Sequence, residues 1–152
     1  MRRVLVVCLL GMASLLARAA SECRAVGGSI STNFVNATTT SGTATGDFAG
    51  SVGVSVLSIG QGPNGAVIFH NQHTWVTATG DTLFFNAADA TAFPSPVSGL
   101  YAASYINGVV LTGGTGRFAK ASGKIYSWGA VNLANNELTL RYEGTVCFAG
   151  GD

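Results

Sequence analysis

The sequence predicts an all-β protein, a single closed antiparallel eight-stranded β-barrel, with a β-sandwich as the alternative. Three observations point there. Apolar and polar residues alternate with period two, glycine- or proline-containing breaks separate the alternating stretches, and no window holds a helical period of useful length. One predicted strand carries a face of small residues, which eases the sharp coiling of a small barrel. Cys23 and Cys147 lie near opposite ends of the chain, where closure would set the first and last strands side by side.

The elements follow in chain order. Met1-Arg2-Arg3, an apolar run from Val4 to Leu16 and the small-residue pattern Ala17-Arg18-Ala19 read as a secretory signal over residues 1–19, leaving 20–152 as one barrel domain. Strands are expected over residues 25–35, over the alternating Val52, Val54 and Val56, and over residues 66–77, 82–86, 100–111 and 118–132. The last strand alternates Leu138, Leu140, Tyr142, Val146 and Phe148 with Glu137, Thr139, Arg141, Glu143 and Thr145. Along residues 118–132, Ala119, Ala121, Gly123, Ile125, Ser127, Gly129 and Val131 share one face. Breaks are expected at residues 60–65, 79–81, 94–99 and 113–116.

Composition excludes several functions. Loss of the signal takes Arg2, Arg3 and Arg18 with it, so five basic and seven acidic residues remain, a net charge of −2 with no basic cluster. Nucleic acid is therefore not an expected partner, because phosphate neutralisation needs clustered Lys and Arg. No later segment is long and apolar enough to cross a bilayer as a helix, so no membrane association is expected after cleavage. Cys8 leaves with the signal, and Cys23 and Cys147 then form an even pair in an exported chain, read as a structural disulfide. Secretion or a periplasmic location is the expected address.

A short phrase occurs twice, Thr45-Gly46-Asp47-Phe48-Ala49 and Thr115-Gly116-Arg117-Phe118-Ala119. The second copy belongs to the fuller run Gly113-Gly114-Thr115-Gly116-Arg117-Phe118-Ala119-Lys120-Ala121-Ser122-Gly123. Gly113, Gly114 and Gly116 permit positive φ or close backbone approach, and Phe118 supplies a buried anchor, so the phrase is expected to be a turn that launches a strand. It does not read as a phosphate loop, since such loops open helices and carry a Lys that is absent here. This run, followed by a terminal strand ending Gly144-Thr145-Val146-Cys147-Phe148, resembles the motif of the allene oxide cyclase and dirigent barrel superfamily. The likeness is strongest to uncharacterised secreted bacterial members, through the amino-terminal Gly27-Gly28-Ser29-Ile30-Ser31-Thr32-Asn33-Phe34. The resemblance implies an eight-stranded antiparallel barrel, commonly dimeric or trimeric, whose apolar lumen steers cyclisation or coupling of a reactive small molecule. It carries no catalytic residues to positions of this chain.

Chemistry is best sought in the central hairpin. His70 and His73 are three apart, which on a strand sends them to opposite faces, and no cluster of further ligands accompanies them, so no metal or cofactor is expected. Phe69, Asn71, His73 and Trp75 share one face, and a two-residue turn at Gly80-Asp81 would add Phe84 and Asn86 to it. These six residues are the expected ligand lining. The parity leaves open which face points inward.

Two functions are compatible with these residues. One is a secreted binding or structural barrel for an apolar small molecule; the other is a cofactor-free isomerase or cyclase acting on an apolar reactive substrate in the lumen. An open lumen containing a titratable or hydrogen-bonding group, such as His73, is what the second requires.

Overall fold

The structure, a computed structural model, describes residues 22–149. The signal expected over residues 1–19 lies outside the described residues. Among the described residues, ten strands form one antiparallel sheet: β1 (Glu22–Asn36), β2 (Thr39–Ala44), β3 (Gly50–Gln61), β4 (Val67–Thr77), β5 (Thr82–Phe85), β6 (Ala88–Pro94), β7 (Leu100–Ser104), β8 (Val109–Gly114), β9 (Ser122–Asn132) and β10 (Glu137–Phe148). Eight of them close a ring in the order β10-β1-β2-β3-β4-β5-β8-β9, with β9 pairing back to β10. Outside this ring, β6 and β7 pair with each other and bridge β4 to β9 nearer one end. The fold is the expected closed eight-stranded barrel, not a sandwich.

Closure places Cys23 opposite Cys147 in the β1–β10 ladder, and the two are joined as a disulfide. The bond links positions 124 residues apart, so it restricts the unfolded chain strongly.

Side-chain parity builds the core. Val26, Ile30 and Thr32 of β1, Val52 of β3, Trp75 of β4, Ile125 and Ser127 of β9, and Leu140, Tyr142 and Val146 of β10 point inward and are buried. From Gly123 to Val131 the small face expected on this strand is the inner face of β9; Ala121 is buried just before the strand, whereas Ala119, in the preceding turn, is exposed. Gly123 and Gly129 lie on the inner face because an added Cβ would run into the carbonyls of Thr145 and Thr139 on β10.

Three expectations are corrected. The stretch 100–111 is not one strand: it breaks between β7 and β8, where Gly108 takes φ 72° and donates its N–H to Tyr105 O at 2.9 Å. The stretch 118–132 begins as strand only at Ser122, because Gly116–Phe118 forms a 3₁₀ turn. The repeated phrase therefore makes a 3₁₀ turn that precedes a strand, and Phe118 belongs to the turn. Its first copy does the same at Gly46–Phe48. The strands β2 and β6 carry too many Thr, Ser, Gly and Ala residues for the apolar pattern to reveal them.

The two copies of the phrase close one end of the barrel. Phe48 and Phe118 are fully buried there, and Phe48 also stacks on Tyr142 at 6.0 Å and meets Trp75 edge-on at 6.0 Å. Each turn is tied to a neighbouring strand by an equivalent bond, Thr45 N–H to Ser29 O and Thr115 N–H to Thr82 O, both 2.8 Å. Trp75 Nε1 donates to Phe48 O at 2.7 Å, and Tyr142 accepts from Phe48 N–H at 3.0 Å while donating to Thr45 O at 2.9 Å. The backbone N–H and C=O of Phe48 are thus both matched, which permits their burial.

Candidate functional site

Above this aromatic floor the barrel holds a cavity of about 290 Å³. Its wall is drawn from all around the barrel, with Thr32, Val54, Phe69, Tyr101, Val109, Leu138 and Leu140 among the lining residues. Ala37 and Leu133, in turns at the end opposite the floor, both line the cavity and are exposed, so the lumen opens there. Exposed apolar side chains surround that mouth, including Val35, Leu57, Ile59, Phe93 and Val97.

Four of the six expected lining residues reach the lumen: Phe69, Asn71, His73 and Trp75, all from β4. Phe84 and Asn86 do not. Phe84 is 50% exposed on the outer wall, and Asn86 is exposed as well. The expected two-residue turn is the cause of the error. The last pairs of the hairpin are Trp75 with Leu83 and Val76 with Thr82, so residues 77–81 make a longer connection and the parity of β5 reverses. Thr77 N–H donates to Asp81 O at 2.8 Å and Asp81 N–H to Thr77 Oγ1 at 3.1 Å, which fixes that longer turn. Leu83 and Phe85 consequently point inward, and Phe85 lines the cavity in place of Phe84.

The histidines separate as their spacing requires. His70 stands on the outer wall, with Nδ1 2.7 Å from the Asp89 carboxylate of the paired strand β6. His73 lies inside, flanked by the rings of Phe85 and Tyr105 with centroids 6.1 and 5.1 Å away.

Tyr105 is the residue that the pattern missed. It lies at the break between β7 and β8, its N–H held by Ser127 O at 2.8 Å, which swings its phenol into the lumen. There its hydroxyl joins the two polar side chains of β4. Asn71 Nδ2 donates to Tyr105 Oη at 2.8 Å, and His73 Nε2 lies 3.0 Å from the same oxygen. Burial lowers the His73 pKa to about 4, so at neutral pH the imidazole is uncharged. Burial also raises the Tyr105 pKa, and the phenol keeps its proton. Having accepted from Asn71, Tyr105 donates to His73 Nε2, which leaves the proton of the neutral imidazole on Nδ1.

This relay is incomplete at both ends. His73 Nδ1 and Asn71 Oδ1 are buried without a hydrogen-bond partner, as are the hydroxyls of Thr32 and Thr40 across the wall. All four side chains line the cavity. No Asp, Glu, Lys or Arg is among the lining residues, and the described residues contain no cluster of His, Cys, Asp or Glu able to hold a metal. The lumen can therefore enclose apolar surface and offer a few neutral hydrogen bonds. Its described lining residues bring no charge with which to hold an ion.

No family model matches the chain, no curated protein matches it, and no solved structure matches it.

Proposed function

We propose that this protein is an exported β-barrel that binds an apolar small molecule in its lumen. The observation that carries this reading is the apolar cavity of about 290 Å³, open at one end and closed at the other by a fully packed aromatic floor. That volume is close to the lower end of the range for small-molecule pockets, about 300–1,000 Å³, and its lining of many apolar and few polar groups is the usual composition of such sites. Export rests on the amino-terminal pattern of residues 1–19 and on the disulfide, a bond that persists in oxidising compartments. Self-association into a dimer or trimer is part of the proposal. The exposed outer-wall rings of Phe84, Tyr126 and Trp128 support it, since such side chains are enriched at protein contacts.

Native mass spectrometry of the protein purified from its own host tests both points. A retained small molecule that is lost in the lumen-filling variant Ala103→Phe is expected. Protein that carries no extra mass and takes up no apolar probe would remove the binding reading.

A second reading, the cofactor-free isomerase or cyclase, is favoured by the His73–Tyr105 pair inside the lumen. With a pKa of about 4, His73 is a weak base at neutral pH, so such catalysis would depend on confinement and hydrogen bonding more than on proton abstraction.

A further inference from the structure

The unmatched polar atoms of the lumen narrow the ligand to a chemical class. We infer that the barrel takes an uncharged, mainly apolar molecule bearing one neutral oxygen function, a hydroxyl or a carbonyl, which docks against His73 and Asn71. This rests on the lumen-binding reading above.

Three observations carry the inference. First, the lining residues include no charged side chain, so a carboxylate or ammonium entering the lumen would be desolvated with nothing to compensate it. Second, Asn71 is 4% exposed and leaves Oδ1 unpartnered, while His73 leaves Nδ1 unpartnered. Whichever way the Asn71 amide is turned, one of its ends satisfies Tyr105 and the other is left over. Buried polar groups are nearly always paired, so the unpaired atoms of Asn71 and His73, two residues apart on β4, mark a place where a ligand supplies partners. Third, these groups are held in place by the Tyr105 hydroxyl, which bonds both residues, and by the rings of Phe85 and Tyr105 against His73. A donor at His73 and an acceptor at Asn71 suit a hydroxyl, which can pair with either, or a carbonyl, which pairs with the donor.

The arrangement also sets the orientation. Phe69 and Leu133 lie toward the mouth, with His73 deeper, next to Trp75 at the floor along β4. The oxygen function enters first, and the hydrocarbon part fills the apolar wall behind it.

A matched probe series tests the inference: 1-octanol, 2-octanone, octane, octanoate and octylammonium at pH 7. The readout is the fluorescence of Trp75, with Trp128 on the outer wall replaced in a Trp128→Phe background. The alcohol or ketone is expected to bind at least about tenfold tighter than octane, and octanoate and octylammonium weaker than octane; one well-made neutral hydrogen bond is of the order of that tenfold step. His73→Phe and Asn71→Leu are expected to bring the alcohol and the ketone to the affinity of octane measured on the same variant, and the chemical unfolding transition of each variant shows whether it folds. Octane binding equal to octanol would overturn the ligand class and leave lumen binding standing. Tightest binding of either ion would overturn the requirement for neutrality. Failure of every probe to bind would overturn both this inference and the reading beneath it. If the variants do not fold, the ranking of the five probes on the parent protein decides alone.

Discussion

Phe48 and Phe118, the aromatic residues of the two copies of one short phrase, meet edge to face with ring centroids 5.6 Å apart. The repeat is therefore a single structural device. Two 3₁₀ turns from different parts of the chain bring their aromatic residues to one point and seal one end of the lumen. The copies differ where their neighbours differ. Asp47 accepts the Gly27 N–H at 2.8 Å on β1, whereas Arg117 lies over the Phe118 ring at 4.7 Å and near Asp81 at 3.9 Å.

Because the two rings share one packed site, their contributions should couple. Phe48→Ala and Phe118→Ala are each expected to cost about 3–5 kcal/mol. The double variant should depart from additivity by about 0.5–1.5 kcal/mol, the range for aromatic pairs. Denaturant unfolding of the four proteins in the cycle measures this, and strict additivity would show that the turns act independently.

The glycines of the two turns should not be equivalent. At Gly46, φ is 83° and an added Cβ would press on the backbone carbonyl of Gly27, which the β1–β10 ladder fixes. At Gly116, φ is 49°, within the left-handed region that other residues enter at modest cost, and the atoms nearest an added Cβ belong to the Asp81 carboxylate, a side chain that can rotate. Gly116→Ala is expected to cost about 1–2 kcal/mol and Gly46→Ala clearly more. Thermal unfolding of the two variants gives the order directly.

Much of this architecture was legible in the sequence, for identifiable reasons. Period-two alternation in β3, β4 and β10 reports a wall with one dry face, and Cys23 with Cys147 reports where the wall closes. On β4 the same alternation placed Phe69, Asn71, His73 and Trp75 on one face, which is the lumen face. The reading failed where a turn sets parity. Gly80-Asp81 looks like a two-residue turn, but hydrogen bonds between Thr77 and Asp81 stretch the connection, and Phe84 with Asn86 moves to the outside. Tyr105 was hidden for a related reason. A break in the strand aims it inward, and its partners Asn71 and His73 are distant in sequence.

Burial of neutral His73 predicts a pH dependence with a definite sign. In the unfolded chain its pKa is near 6.5, and in the folded protein it is about 4. Between these values the unfolded state holds more protons, so the stability is fully present above about pH 6.5 and is lost as pH falls toward 4. The loss attributable to this residue is up to about 3 kcal/mol. Chemical denaturation at several pH values should show that His73→Phe has a flatter profile than the parent between pH 7 and 4. Parallel profiles would mean that His73 titrates normally and is not held in a dry site.

The central claim, that the lumen is a binding site, is tested most directly by methyl-resolved NMR during titration with 1-octanol. Val52, Val54, Val56, Leu138 and Leu140 line the cavity, while Val110 lies exposed on the outer wall, so the methyl groups themselves distinguish inside from outside. Saturable shifts at the five lumen residues, with Val110 unmoved, are the predicted result. Shifts confined to exposed methyl groups, or an unchanged spectrum, would contradict the account.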